Sequence, residues 1–220
     1  MVMIIGITGS IASGKSTACK SLVSLGAKHC DADKLVHKMY APGKPAYYRI
    51  LETFGNDLID NEGNIDRKNL GSKVFGKPQE MAKLTKAIGN IAQEIEGVMK
   101  NWRETLGAND VALMEAVNFI EAGYGRYSDV TWLFVANDGI AISRLQARNS
   151  LTYEQALQRL SSQKNWTERE NASDLITHND NTIEDLIMNV KQNMGNLTKQ
   201  YREGKLPVSN YMKWWEKTQN

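Results

Sequence analysis

Along the chain, the first pattern is an unbroken apolar run from Val2 to Thr8, of the kind that fills a β-strand buried on both faces. A glycine-rich turn follows. Cys19, Leu22, Val23 and Leu25 then recur at helical spacing up to Gly26, which suits a C-terminal cap. Strand, glycine loop and helix in that order open a parallel α/β unit. A second short strand is predicted over 27–30, ending in Asp31-Ala32-Asp33, with a helix over 34–40. Ligands of open parallel sheets sit at the carboxyl ends of the strands, where both the glycine turn and this acidic pair fall.

The texture then changes. Pro42-Gly43-Lys44-Pro45 marks a turn, 46–54 reads as a helix, and 58–66 reads as a small hairpin or loop around Glu62-Gly63. Helices are predicted over 66–75 and 78–105, the second long and amphipathic, so this region reads as a helical insertion. Strands return at 111–117 and 130–136, separated by a loop over 118–127. Residues 139–165 read as helical, and a short strand over 175–177 precedes a last helix over 182–202. The tail over 201–220 carries one proline and the pair Trp214-Trp215, expected to pack on the core or to support contacts between copies. The chain shows no internal repeat and no low-complexity segment.

Composition narrows the partners. With 27 basic against 25 acidic residues in 220, the net charge of +2 favours neither nucleic acid nor a membrane surface. Cys19 and Cys30 stand in no metal-binding or redox spacing and read as reduced thiols, Cys19 on a core-facing helix face. The short apolar start lacks a basic leader and a small-residue cleavage site. No apolar run approaches the length of a membrane span, and a cytoplasmic protein is expected.

The chemistry lies in the turn. Gly9-Ser10-Ile11-Ala12-Ser13-Gly14-Lys15-Ser16 matches the phosphate-binding pattern G-x-x-x-x-G-K-[ST]. Glycines let backbone N–H groups converge on an anion, the following helix adds its positive end, and Lys15 neutralises outer phosphates. Ser16 would ligate Mg²⁺. A GTPase reading lacks support, because the one DxxG-like run, Asp60 to Gly63, falls in the predicted hairpin and no NKxD-type guanine reader is present. Asp31 and Asp33 stand where one carboxylate could help hold hydrated Mg²⁺ and the other accept a proton from an attacking hydroxyl. The plainer role for Asp33 is to cap the helix that follows. Arg144, Arg148 and Arg159 suit a mobile lid that stabilises transferred oxygens, or else a solvated helix face. A lone acid at a strand end, such as Glu115, is often a solvated or capping group, and His29 and His178 read as core or surface histidines.

Taken together, GITGSIASGKST, DADKLVHKMY, GNIDRKNLGSKVF, RLQARNSLTYEQALQRLSSQ and SDLITHNDNTIEDL resemble the dephospho-coenzyme A kinase family over about residues 3 to 190. The resemblance implies an α/β fold with a P-loop NTPase-type parallel sheet flanked by helices, a helical substrate-binding insertion and a helical lid. The core would span 1–40, 106–138 and 170–200, the insertion 41–105, the lid 139–169, and the tail 201–220. It implies transfer of the γ-phosphoryl of ATP, with Mg²⁺, to the ribose 3′-hydroxyl of dephospho-coenzyme A. Gly9, Ala12, Ser13, Gly14, Lys15, Ser16 and Thr17 would wrap the ATP phosphates, Asn179 would lie near the adenine, and Glu115 with Ser16 would face the metal. Asp33 would be the base, assisted by Lys15, Arg144 and Arg148. Asp31, His37, Arg67 and Glu121 would belong to the substrate side. A monomer or weak homo-oligomer acting on small molecules is expected.

The chain departs from the family pattern in three places. It has Gly89-Asn90 for a His-Pro pair, Glu115-Ala116-Val117-Asn118-Phe119-Ile120-Glu121 for an Asp-x-Pro-Leu-Leu-Phe-Glu run, and Ala141 for a lid glutamine. These leave two other readings on the same loop: a nucleoside or nucleotide kinase, and a regulator that binds ATP without turnover.

Overall fold

A computed structural model describes residues 1–218; the last two residues of the expected tail, Gln219 and Asn220, lie outside the described residues. The chain divides into two compact units, one of residues 31–97 and one of residues 1–30 together with those from 98 onward.

The larger unit is built on a five-stranded sheet of order β2-β3-β1-β4-β5, formed by β1 (Met3–Gly9), β2 (Lys28–Asp31), β3 (Val111–Glu115), β4 (Val130–Val135) and β5 (Leu175–His178). Every residue of β1 and β4 is buried, as their unbroken apolar runs require. β1 pairs in parallel with β3 and β4, and β4 with β5. Helix α1 (Lys15–Val23) packs Ala18, Cys19 and Leu22 on this sheet beside Leu186 and Val190 of the long helix over Ile183–Arg202.

The smaller unit is helical: α2 (Ala32–Met39), α3 (Pro45–Phe54), α4 (Arg67–Val74) and α5 (Pro78–Ile88) enclose their own core of Tyr47, Ile50, Leu58, Leu70 and Val74. Between α3 and α4, a single antiparallel bridge joins Ile59 and Ile65. Its turn is held by Asp60 Oδ1, which accepts from the backbone N–H of Glu62 and Asn64. The carboxylate of the DxxG-like run thus builds the turn itself.

Three expectations change in the structure. The long helix over 78–105 is two, because Gly89 at φ 106° ends α5 and α6 (Ile91–Thr105) starts afresh. Asn90 caps the new start by accepting from Gln93 N at 3.0 Å. The helical stretch 139–165 also divides, into α7 (Asp138–Asn149) and α8 (Tyr153–Ser161), at Ser150 in the left-handed region. A capping box of Thr152 and Gln155 restarts the second. The helix after β2 begins two residues early, at Ala32, because its cap is Asp31 and not Asp33: Asp31 Oδ1 accepts from Lys34 N at 3.2 Å. The tail packs on the core, one of the two roles expected of it. After α9 (Thr167–Glu170) and α10 (Ile183–Arg202), it forms α11 (Asn210–Thr218), whose Tyr211, Trp214 and Trp215 pack against Ile120 and Ala172.

No helix among the described residues is long and apolar enough to cross a membrane.

Candidate functional site

The site begins where β1 hands the chain to α1. Gly9 ends the strand, and the backbone curls through left-handed conformations at Ala12 (φ 61°) and Gly14 (φ 95°) before α1 starts at Lys15. A Cβ at Gly14 would stand 2.2 Å from Asn179 Nδ2, so both the backbone and the space reserve this position for glycine. Lys15 is only 8% exposed, and its Nζ donates to the carbonyls of Gly9 (2.9 Å) and Ser10 (2.7 Å). The ammonium is therefore held beside a backbone whose N–H groups and helix end favour an anion. Ser13 Oγ is buried with no hydrogen-bond partner among the described residues, as suits a donor kept for a phosphate oxygen. Thr17 follows, half-buried, in the first turn of α1.

Asn179, just after β5, braces this loop. Its Nδ2 donates to Ser13 O at 3.0 Å and its Oδ1 accepts from Arg144 at 3.4 Å, in a residue 5% exposed. Both ends of the amide, which the resemblance placed near the adenine, are thus engaged by the loop and by α7. Arg144 also donates to Ala12 O at 3.3 Å, and Ile11 and Ala12 pack against Ile142, Leu145 and Leu160 of α7 and α8. Gln163 Oε1 accepts from Ile11 N at 2.7 Å. Sequence reasoning did not single out Gln163; it ends the lid-like segment RLSSQ, which was the available signal. Arg148 stays exposed, with its Nε on the Asn149 side chain.

On the other side of the loop, Ser16 Oγ donates to Glu115 Oε1 at 2.8 Å, and His29 Nε2 lies 3.1 Å from Glu115 Oε2. Burial pushes the Glu115 carboxyl up, but the hydrogen bonds from His29 and Ser16 and the charges of His29 and Lys15 outweigh it and hold the group below its ordinary value. It is a carboxylate at neutral pH. Ser16 and Glu115 together offer hard oxygens of the kind Mg²⁺ takes. His29, read from sequence as core or surface, is instead a partner of the key acid.

Glu121 is not gathered into this cluster. Its Oε1 pairs with the buried Arg169 Nε at 2.7 Å, while Oε2 is buried with no hydrogen-bond partner among the described residues.

In the helical unit, the Asp31 carboxylate is occupied by its cap and by Lys34 Nζ at 3.3 Å. Asp33 stands exposed in the first turn of α2. One helical turn on, His37 faces α4: Arg67 Nη1 donates to His37 Nδ1 at 2.9 Å. Burial, and then the Arg67 charge, lower the His37 pKa against the opposing pull of Asp33 and Asp31. His37 and Arg67 share a cleft of about 480 Å³ with Tyr40, Asp66 and Lys68. The sequence reading grouped these two residues on the substrate side, and the fold brings them together.

Comparison with known proteins places the chain in a family. The family described as dephospho-CoA kinase matches residues 3–185. A Lactococcus lactis protein named dephospho-CoA kinase is 34% identical over 90% of this chain and all of its own length. A dephospho-CoA kinase from Campylobacter jejuni superposes with TM-score 0.62 at 27% identity, covering 89% of this chain and 97% of that one. A Thermus thermophilus crystal structure gives TM-score 0.72 at 25% identity, covering 89% and 98%.

Proposed function

Because the chain belongs to the dephospho-CoA kinase family, we propose that its phosphate loop holds the triphosphate of ATP and that Asp33 takes the proton of the acceptor hydroxyl. The reaction is phosphoryl transfer from ATP to the ribose 3′-hydroxyl of dephospho-coenzyme A, the final step of coenzyme A synthesis. The observation that carries the site reading is the loop itself: a buried lysine bound to two loop carbonyls, an orphaned serine hydroxyl and a glycine at a left-handed φ where any side chain would be strained.

Each residue then has a definite task. Backbone N–H groups from Ala12 to Thr17 and the Ser13 hydroxyl bind phosphate oxygens, and Lys15 neutralises their charge. Ser16 and Glu115 would hold Mg²⁺, which supplies further neutralisation of the β- and γ-phosphates. Arg144, already on the loop at Ala12, stabilises charge on the transferred group, and Arg148 joins it when the lid closes. Asn179 and Gln163 hold the loop and the lid in register. Asp33 orients and deprotonates the acceptor hydroxyl, and the His37–Arg67 cleft receives part of the acceptor, where Arg67 suits its phosphate charge. Water must be excluded during transfer, since it would compete as acceptor.

The test is ADP release from ATP by the purified protein, with dephospho-coenzyme A, deoxynucleoside monophosphates or no acceptor, with and without Mg²⁺. Turnover requiring dephospho-coenzyme A and Mg²⁺ is expected. Turnover with nucleotides alone would refute the acceptor assignment, and tight ATP binding without turnover would refute the catalytic one.

A further inference from the structure

Beside the phosphate loop, three side chains that none of the elements shares converge. Cys19 Sγ from α1, His29 Nε2 from β2 and a Glu115 carboxylate oxygen from β3 lie within 4.8 Å of one another. The roles proposed above use neither Cys19 nor His29. Cys19 is fully buried and Glu115 is 7% exposed, while the His29 side chain, 22% exposed, forms the open side of the cluster.

A cysteine surrounded only by hydrocarbon behaves as a small hydrophobe. Here the sulfur stands beside an imidazole and a carboxylate held as an anion. We propose that Cys19, His29 and Glu115 form a binding site for a borderline-soft divalent cation of the Zn²⁺ class. One sulfur, one nitrogen and one oxygen make a ligand set that Zn²⁺ accepts and Mg²⁺ rejects. Tetrahedral bonds of about 2.0 to 2.3 Å place neighbouring ligand atoms about 3.3 to 3.7 Å apart. The His29–Glu115 separation of 3.1 Å is slightly shorter than that range and opens by a few tenths of an ångström, while the widest pair, no more than 4.8 Å apart, closes by up to about 1.5 Å. The fourth position falls to water on the His29 side.

The Glu115 carboxylate serves both neighbours. Oε1 points to Ser16 and the phosphate loop, and Oε2 to His29, so the soft site and the hard one use opposite oxygens of one residue. Binding exchanges the His29–Glu115 hydrogen bond for two metal bonds, with the Nε2 proton of the neutral imidazole lost to solvent as Nδ1 takes one up, and releases the Cys19 thiol proton to solvent.

The experiment uses the full chain, freed of metal by chelator and titrated with Co²⁺ and then Zn²⁺. One Co²⁺ per chain is expected, with a thiolate-to-cobalt charge-transfer absorption in the near ultraviolet that Zn²⁺ abolishes. Cys19→Ala removes that absorption. His29→Ala weakens Zn²⁺ binding, read by competition with a chromogenic chelator, by at least about tenfold. Cys30→Ala, outside the cluster, changes neither readout. No charge-transfer band in the unaltered protein overturns the proposal, as does a band that survives Cys19→Ala or is lost with Cys30→Ala. Unchanged Zn²⁺ affinity in His29→Ala overturns it too, and this solvent-side substitution serves where Cys19→Ala disturbs folding. These readouts are independent of turnover, so their failure leaves the kinase reading standing.

Discussion

In the sheet-bearing unit the site is tied across the sequence: Ser16 meets Glu115 over 99 positions and Asn179 meets Ser13 over 166. In the helical unit, Arg67 reaches His37 over only 30, between two short helices of eight residues each. The phosphate loop is therefore held by residues from the ends of β3 and β5, far along the chain. The cleft around His37 depends on local geometry and can adjust without disturbing a core strand. Phosphate recognition calls for preorganised donors, whereas an acceptor with a long flexible body tolerates an adaptable receptor.

The largest test of this contrast bears on chemistry alone. Asp33→Asn, on the exposed first turn of α2, should lower kcat by about 10² to 10⁴ while ATP affinity and melting temperature stay put; weaker ATP binding would show that Asp33 belongs to the nucleotide half. Next come paired glycine substitutions. Gly14 and Gly63 both have left-handed φ, but a Cβ meets Asn179 at Gly14 and nothing within 4 Å at Gly63. Gly14→Ala should raise the KM for ATP about tenfold or more, through strain of about 1–3 kcal/mol plus the clash. Gly63→Ala should cost about 1–2 kcal/mol of stability and leave ATP kinetics alone; equal kinetic effects would erase the distinction between the units.

Asn179→Ala should destabilise the protein by about 1–3 kcal/mol in denaturant melts, because the Ser13 carbonyl loses its buried donor. An unchanged midpoint would mean that water replaces the amide. The smallest effect is a pH dependence. His37 accepts from Arg67 through Nδ1, and its pKa lies below the ordinary 6.5, so the neutral form persists through neutral pH. Protonation as pH falls below 6.5 breaks that bond, and the KM for dephospho-coenzyme A should rise severalfold there. In His37→Gln the KM should no longer follow pH across this window, and a slope that persists would assign it to another group.

The phosphate loop and the strand that leads into it were legible because their signals are local: a spacing of glycines, a lysine and a buried apolar run. The division of 78–105 into α5 and α6 was not, since amphipathic periodicity continues past Gly89-Asn90 and only the φ of 106° and the Asn90 cap reveal the break. A capping role after β2 was the plainer alternative for Asp33, since the helix was expected to start at Lys34; the structure starts it at Ala32, gives the cap to Asp31 and leaves Asp33 exposed. Glu115 entered through the family resemblance, while His29 and Gln163 were not singled out, as their contacts depend on partners 86 and 152 positions away. Local spacing carries no record of such pairings.

Helix α11 sets the order in which the protein can be completed. Tyr211 packs so closely on the loop after β3 that a Cβ at Gly125 would stand 2.4 Å from its ring, and Trp215 stacks on Tyr211 beneath Arg126. The Tyr211 hydroxyl donates to Ile120 O from 91 positions further on. At ordinary translation speeds that separation is roughly 5 to 20 s of synthesis. The loop that carries Glu121 therefore waits on the ribosome for its cover, and a nascent chain stalled before residue 211 presents Ile120 and Ala172 to chaperones as an unfinished surface.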